Sequence, residues 1–327
     1  MATIRDVARA AGVSQSTVSR TLSSPDLVHP STRALVEAHT QRLGYRPNRA
    51  ARGLITGRTG NLGLIVPDLS NPFFASVVKG IQSAAGASDY SVFIADTDEE
   101  ATAEVELLRA LAKQVDGILL CSPRTTETRL QEVGVDTPIV LMNRTVHGFP
   151  SITVDNADGM RQAVNHLAAL GHRRIAYVGG PSTSWSDSER RRGLHASVET
   201  TGADLVDIGG FPPRFEGGVA AGDLVLASGA SAVIAYNDVI ALGLLSRFTT
   251  RGVSVPGKVS LVGCDDIAMA SMSHPQLTTI AIPQHVAGRA AVGLLMSVLS
   301  DDDGNESRER ELPTQLIVRA TTAVAPT

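Results

Sequence analysis

Lysine is nearly missing from this chain of 327 residues: three stand against 26 arginines, a compositional bias of the kind a GC-rich genome produces. Cysteine is scarcer still. Its two copies each close an apolar run, in Gly117-Ile118-Leu119-Leu120-Cys121 and Ser260-Leu261-Val262-Gly263-Cys264. A metal site needs more ligands at tighter spacing, so both are expected to be buried thiols at strand ends, and no metal is expected. No apolar run approaches the roughly 18 residues of a membrane span. Met1-Ala2-Thr3-Ile4-Arg5-Asp6 lacks a basic-then-apolar leader and runs straight into a patterned helix, so a cytoplasmic protein without membrane contact is expected. What remains, 43% hydrophobic and 19% charged, is the composition of a soluble protein long enough for two or three domains.

The formal net charge of −4 conceals an asymmetry. Residues 1–60 hold nine Arg, no Lys and only Asp6, Asp26 and Glu37 as acids, whereas the rest of the chain carries 20 basic and 30 acidic side chains. A small basic part joined to a large acidic one points to a polyanion partner for the first part alone. The pattern inside that part agrees. Thr3-Ile4-Arg5-Asp6 reads as a capping-box start, followed by Ile4, Val7, Ala8 and Ala11 on one helical face. Gly12 ends this helix, Ser14 caps a second that runs to about Leu22, and a third runs from Pro30 to Leu43 and stops at Gly44. Two helices joined by a short turn with glycine make a helix-turn-helix. The second helix opens on Gln15, Ser16 and Thr17 and carries Ser19 and Arg20, side chains suited to the major groove.

Thr3-Ile4-Arg5-Asp6-Val7-Ala8, Ala11-Gly12-Val13-Ser14, Thr17-Val18-Ser19-Arg20 and Leu43-Gly44-Tyr45-Arg46-Pro47-Asn48 closely resemble the DNA-binding head of the lactose-repressor (LacI/GalR) family. The resemblance implies that Gln15, Ser16 and Arg20 read bases, Gln on an adenine edge and Arg on a guanine edge. Thr17, Ser19 and Asn48 would hold phosphates and fix register. Residues 47–60 resemble the family's hinge helix and linker, with Asn48, Ala51 and Leu54 spaced along one side. Ala51 and Leu54 would enter the minor groove, where an apolar wedge kinks the duplex. Gly53 makes such a short helix marginal by itself, which suits a switch. One departure is His29-Pro30, where the family has a serine cap and an acid, so a weaker third cap is expected.

From Asn61 onward, apolar runs alternate with amphipathic stretches. Leu62–Val66, Ser91–Ala95, Gly117–Leu120, Ile139–Met142, Ile175–Val178, Ala232–Ala235 and Val259–Val262 read as buried parallel strands. Helices are expected between them, near residues 73–85, 100–113, 126–133, 157–170, 188–200 and 239–251. Two such blocks predict two doubly wound lobes with a ligand cleft at the carboxyl ends of their strands, and no sequence repeat is evident. This order also resembles the family, through Asn71-Pro72-Phe73-Phe74, Leu170-Gly171-His172-Arg173-Arg174-Ile175 and Gly263-Cys264-Asp265-Asp266. The resemblance implies an all-α head, residues 1–46, on an α/β periplasmic-binding-protein-like core of two doubly wound parallel sheets, residues 61–327. Lobe 1 would comprise residues 61–156 and 283–311 and lobe 2 residues 157–282 and 312–327, with crossings near Asp155, Pro283 and Leu312 and a helix near residues 285–299 returning to lobe 1.

Carried across by the resemblance, effector contacts fall on Arg190, Asn237 and Asp265, with Phe215 as an aromatic wall and Ser70, Phe73, Phe74 and Asn143 from the first lobe. Such chemistry suits a small polar effector, a sugar. Plainer roles exist: Asp265 can cap a helix, Arg190 can be one of three solvated arginines and the Phe pair can be core. Asn143 stands where sugar-responsive relatives place Asp. The reading is thus of a repressor on a near-palindromic DNA operator, expected as a homodimer rather than a tetramer because the eight residues after Arg319 hold no leucine heptads. No catalytic residue and no cofactor is expected: Asp265-Asp266 has no accompanying nucleophile and base, and Gly179-Gly180 and Gly217-Gly218 fit no phosphate loop. The rival reading is a DNA-binding regulator that ignores ligands or answers a non-sugar co-repressor.

Overall fold

A computed structural model describes residues 2–23, 25–45, 58–300 and 308–326. The chain divides into two compact units, Met1–Gly60 and Asn61–Thr327. In the first, α1 (Ile4–Ala11) opens on a capping box: the Thr3 N–H donates to Asp6 Oδ2 at 2.9 Å and the Asp6 N–H to Thr3 Oγ1 at 3.4 Å. Gly12, at φ 64°, closes the helix in the left-handed conformation that glycine adopts without penalty. Helix α2 (Gln15–Ser23) begins under Ser14 Oγ, which accepts the Thr17 N–H at 3.1 Å. Helix α3 (Pro30–Arg42) starts at His29 with no side-chain cap, as the departure there predicts. Val7, Ala8, Ala11, Val18 and Val36 bury their side chains together where the three helices meet. The expected helix-turn-helix is borne out.

The second unit holds two six-stranded sheets. In the first the spatial order is β2 (Ser91–Asp96), β1 (Asn61–Val66), β3 (Gly117–Cys121), β4 (Ile139–Met142), β5 (Ser151–Val154) and β11 (Glu309–Leu312), all parallel. In the second it is β7 (Asp204–Gly210), β6 (Arg174–Gly179), β8 (Ala232–Ala235), β9 (Ser260–Asp265), β10 (Thr278–Ala281) and β12 (Gln315–Ile317), with only β12 antiparallel. The winding is the same in both, so the repeat invisible in the sequence exists in the topology. Strands β3, β4 and β8 are buried along their whole length, which is why they read as unbroken apolar runs. The expected pair of doubly wound sheets is borne out. Both cysteines are buried and free. Among the described residues, no helix is long and apolar enough to cross a membrane.

The chain passes between the sheets after β5, after β10 and between β11 and β12. Two of these passages run side by side: the Asp155 N–H donates to Leu312 O at 2.9 Å and Thr314 Oγ1 donates to Asp155 O at 3.0 Å. After the second passage, α12 (Gln284–Leu299) packs on α4 (Pro72–Ala87) of the first lobe, as its apolar face requires.

One long helix escaped the sequence reading. Residues Phe215–Ala227 (α9) carry Gly217, Gly218 and Gly222, a density that argues against a helix on propensity alone. Packing explains it. A Cβ on Gly218 would lie 2.0 Å from the Ile240 carbonyl oxygen of α10 (Asp238–Thr250), and one on Gly243 of α10 would lie 2.1 Å from the Phe215 carbonyl oxygen. The two helices touch nearly backbone to backbone. Gly243→Ala should therefore force them apart and lower the unfolding free energy by about 1–3 kcal/mol. Urea denaturation checks this through the midpoint, and an unchanged midpoint contradicts it.

Candidate functional site

Two surfaces collect the residues singled out by sequence. On the head, Val18 faces the core while Gln15, Ser16 and Arg20 lie exposed on α2 and Thr17 and Ser19 flank them half-buried. Residues four apart on a helix share a side, so Ser16 aligns with Arg20 and Gln15 with Ser19. Ser14 Oγ lies 2.7 Å from Ser16 Oγ and 2.8 Å from Thr17 Oγ1, so one hydroxyl cluster sets the start of this face. Asn48, Ala51 and Leu54 lie outside the described residues.

In the second unit, the carboxyl ends of the strands deliver side chains to a buried cleft between the lobes. Phe73, Phe74, Asn143, Arg190, Asn237 and Asp265 all line it. Phe73 and Phe74 begin α4 behind the cap of Asn71 and meet edge to face, with centroids 5.1 Å apart. Asn143 follows β4 at φ 55° and its Nδ2 donates to Ser122 Oγ at 3.0 Å. Of three consecutive arginines on α8 (Trp185–Thr201), only Arg190 turns inward, and its side chain keeps 5% exposure. Arg190 Nε donates to Asn156 Oδ1 at 2.9 Å and Nη1 to the Tyr236 carbonyl oxygen, while Nη2 lies 3.7 Å from Asp265 Oδ1. Arg191 pairs instead with Asp187 and Asp207, and Arg192 with Glu189. Asn237 caps α10, accepting the Ile240 N–H at 2.8 Å, and its Nδ2 holds Pro213 O at 3.2 Å. Both ends of its amide are therefore engaged within the second lobe.

Two expected residues do not join this cleft. Ser70 is exposed and its hydroxyl and N–H both donate to Asp68. Phe215 is 41% exposed and faces a surface groove with Leu242, Leu245, Met269 and Met272. The reason is local: the Pro212-Pro213 turn ends at Arg214, where α9 begins, and the helix start turns Phe215 away. Phe211, four residues earlier, lines the cleft mouth instead, with Asp98, Glu99, Gly180 and Arg214 around a vestibule of about 540 Å³. At that mouth Arg214 reaches across from the second lobe to Asp68, at 2.9 Å, and Asp98 of the first.

The cleft also contains residues the sequence reading passed over: Glu99, Arg124, Ser122, Ser186 and Tyr236. All but Ser186 follow within a few residues of a strand's carboxyl end, the place where doubly wound sheets put ligand groups, and that rule applied strand by strand would have found them. Inside, the free void is about 20 Å³, room for about one water. Larger occupants require the lobes to part. The two carboxylates of Asp265-Asp266 diverge, the first toward Arg190 and the second 2.6 Å from Arg319, so they are not aimed at one bond.

Burial pushes the Asp265 carboxyl well above the ordinary range, with Arg190 pulling it back. Behind it, buried Asp238 accepts from Thr279 Oγ1 at 2.5 Å and from the Ile267 N–H at 2.9 Å, pinning the turn that follows Asp265. Burial pushes Asp238 up to about 6 from 3.8. The native chain thus holds this proton more tightly than the unfolded chain, so its contribution to stability is full at low pH and declines as pH rises toward 6. Relative to Asp238→Asn, the wild type should lose roughly 2–3 kcal/mol of unfolding free energy between about pH 4 and pH 7. Denaturation at both pH values checks this; parallel profiles for the two proteins contradict it.

Comparison with known proteins adds a family. Residues 3–48 match the description "Bacterial regulatory proteins, lacI family", and residues 164–322 match "Periplasmic binding protein-like domain". Catabolite control protein A of Priestia megaterium is 32% identical over 98% of this chain and 99% of its own length. Among solved structures, the lac repressor dimer bound to operator and the anti-inducer ONPF superposes with a TM-score of 0.84 at 28% identity, covering 98% of this chain and 99% of that one. The transcriptional regulator CelR in complex with cellobiose gives 0.72 at 30% identity, over 98% of this chain and 100% of that one.

Proposed function

We infer that this chain, which belongs to the lacI family of bacterial regulatory proteins, is a sequence-specific DNA-binding transcription regulator, a repressor whose operator affinity is set by a sugar held between its lobes. The observation that carries this reading is the presence in one chain of two features: an exposed polar face on an arginine-rich head, and a cleft walled by Arg190, Asp265 and Asn143. The likeness to a repressor bound to operator and to a regulator bound to cellobiose supports both halves. It works in the cytoplasm and without catalysis.

Two chains form the working dimer, and each head lays α2 in the major groove of one half of a near-palindromic operator. Gln15, Ser16 and Arg20 meet base edges, while Thr17, Ser19 and Asn48 take phosphates. Residues 47–60 connect head and core, and Ala51 and Leu54 enter the minor groove at the operator centre. In the core, a sugar hydroxyl donates to Asp265 and accepts from Arg190 or Asn143, and a sugar's apolar face rests on Phe73 and Phe74. Selectivity follows because a wrong ligand strands these buried polar groups without partners. The sugar lowers operator affinity only to the extent that it binds the two lobe arrangements unequally.

The test is a polarisation titration on a palindromic duplex enriched from random sequence, repeated with a sugar panel. Arg20→Ala should weaken operator binding by about 10–100-fold and leave non-specific binding little changed. Leu54→Ala should weaken specific binding with an unchanged melting temperature, and Arg190→Ala should abolish the response to sugar. Equal, weak affinity for every duplex overturns the reading.

A further inference from the structure

Both guanidiniums in the cleft face a carboxylate that belongs to their own lobe. In the second lobe this is Arg190 with Asp265. In the first it is Arg124 with Glu99, a two-pronged contact in which Nε donates to Oε2 at 2.6 Å and Nη2 to Oε1 at 3.1 Å. The Arg124 side chain is 3% exposed and that of Glu99 17%. Both ends of this fork are fixed. Glu99 stands in a turn at φ 65°, its N–H donating to Pro67 O at 2.8 Å, while the N–H groups of Arg124 and Thr125 donate to the buried carboxylate of Glu104 at 2.8 and 3.3 Å. A same-lobe pair survives when the lobes part, unlike the Arg214 contacts with Asp68 and Asp98, which cross the mouth.

We propose that the effector of this regulator is an electrically neutral polyol, and that Glu99 is the specificity residue that excludes anionic sugars by occupying the guanidinium of Arg124. This rests on the reading of the cleft as a sugar site. A phosphate or carboxylate entering the first-lobe wall must displace Glu99 from a bidentate, charge-assisted contact or sit beside it as a second buried anion, and either is opposed. The approach is opposed as well, because Asp98 and Glu99 line the vestibule with Arg214 as its one described cation, already shared between Asp68 and Asp98. A neutral diol meets no such conflict. It can donate to the free edge of the Glu99 carboxylate and accept from Ser122 or the Asn143 amide, dipoles on the same wall.

The experiment is calorimetric titration of the full chain with matched pairs: D-glucose and glucose 6-phosphate, D-ribose and ribose 5-phosphate, cellobiose and cellobionate. The wild type should bind a neutral member at least about 100-fold more tightly than its anionic counterpart. Glu99→Gln should narrow that ratio by about 10-fold or more, and adding Arg124→Gln should restore it, which a merely structural role for Glu99 would not produce. An anionic member binding as tightly as its neutral counterpart overturns the proposal and leaves the sugar reading standing. A folded Glu99→Gln protein with an unchanged ratio overturns the role of Glu99. Failure of every member, charged or neutral, overturns the sugar reading and this proposal together. The wild-type comparison decides the charge class even if the variants fail to fold.

Discussion

A guanidinium with almost no access to water has to be satisfied by protein, and in the second lobe this demand falls on Arg190. Its partners come from three places in the chain: Asn156 just after the first passage between lobes, Tyr236 after β8, which offers both its carbonyl oxygen and its ring 4.7 Å away, and Asp265 at the end of β9. Removing one partner of such a buried group leaves the others paying for an uncompensated charge, so the set acts as a unit. Because Asn156 lies at a passage between the lobes, the same contact that orients Arg190 toward the cleft also reports on the junction about which the lobes would move.

Around this centre the sheets supply position and the helices supply close fit. The carboxyl ends of β3, β4, β8 and β9 bring Arg124, Asn143, Asn237 and Asp265 to one level because both sheets share one winding order. Asp238 and Thr279 then lock the turn after Asp265 from behind. Movement has a different chemical basis from position. Contacts within a lobe hold the binding groups in place, whereas Arg214 crosses between lobes to the buried Asp68 and to the exposed Asp98, and the second of these contacts can break and re-form at modest cost.

Much of this was legible in the sequence. The capping box at Thr3, the stop at Gly12 and the apolar runs of β1, β3, β4 and β8 are local signals, and local signals survive in one dimension. Arg190 and Asp265 were reached through family resemblance, and the structure brings them together. What escaped depends on tertiary contact. Strand β11, Glu-Arg-Glu-Leu, is an edge strand whose charges hide its pairing with β5. Helix α9 looks too rich in glycine until its backbone contact with α10 is known. The resemblance puts Phe215 in the cleft, but the Pro212-Pro213 turn faces it to a surface groove and leaves Phe211 at the cleft mouth. Glu99 and Arg124 carry no motif, since each matters only through the other, 25 residues away.

In a ligand-controlled repressor the head and the cleft belong to one equilibrium, so that what binds in one place changes affinity in the other. Thermodynamic linkage makes this reciprocal. The most direct measurement is the sugar affinity of the full chain with and without saturating operator DNA. Operator should weaken sugar binding by the same factor by which sugar weakens operator binding. A sugar affinity indifferent to operator, in a protein that binds both, would contradict it.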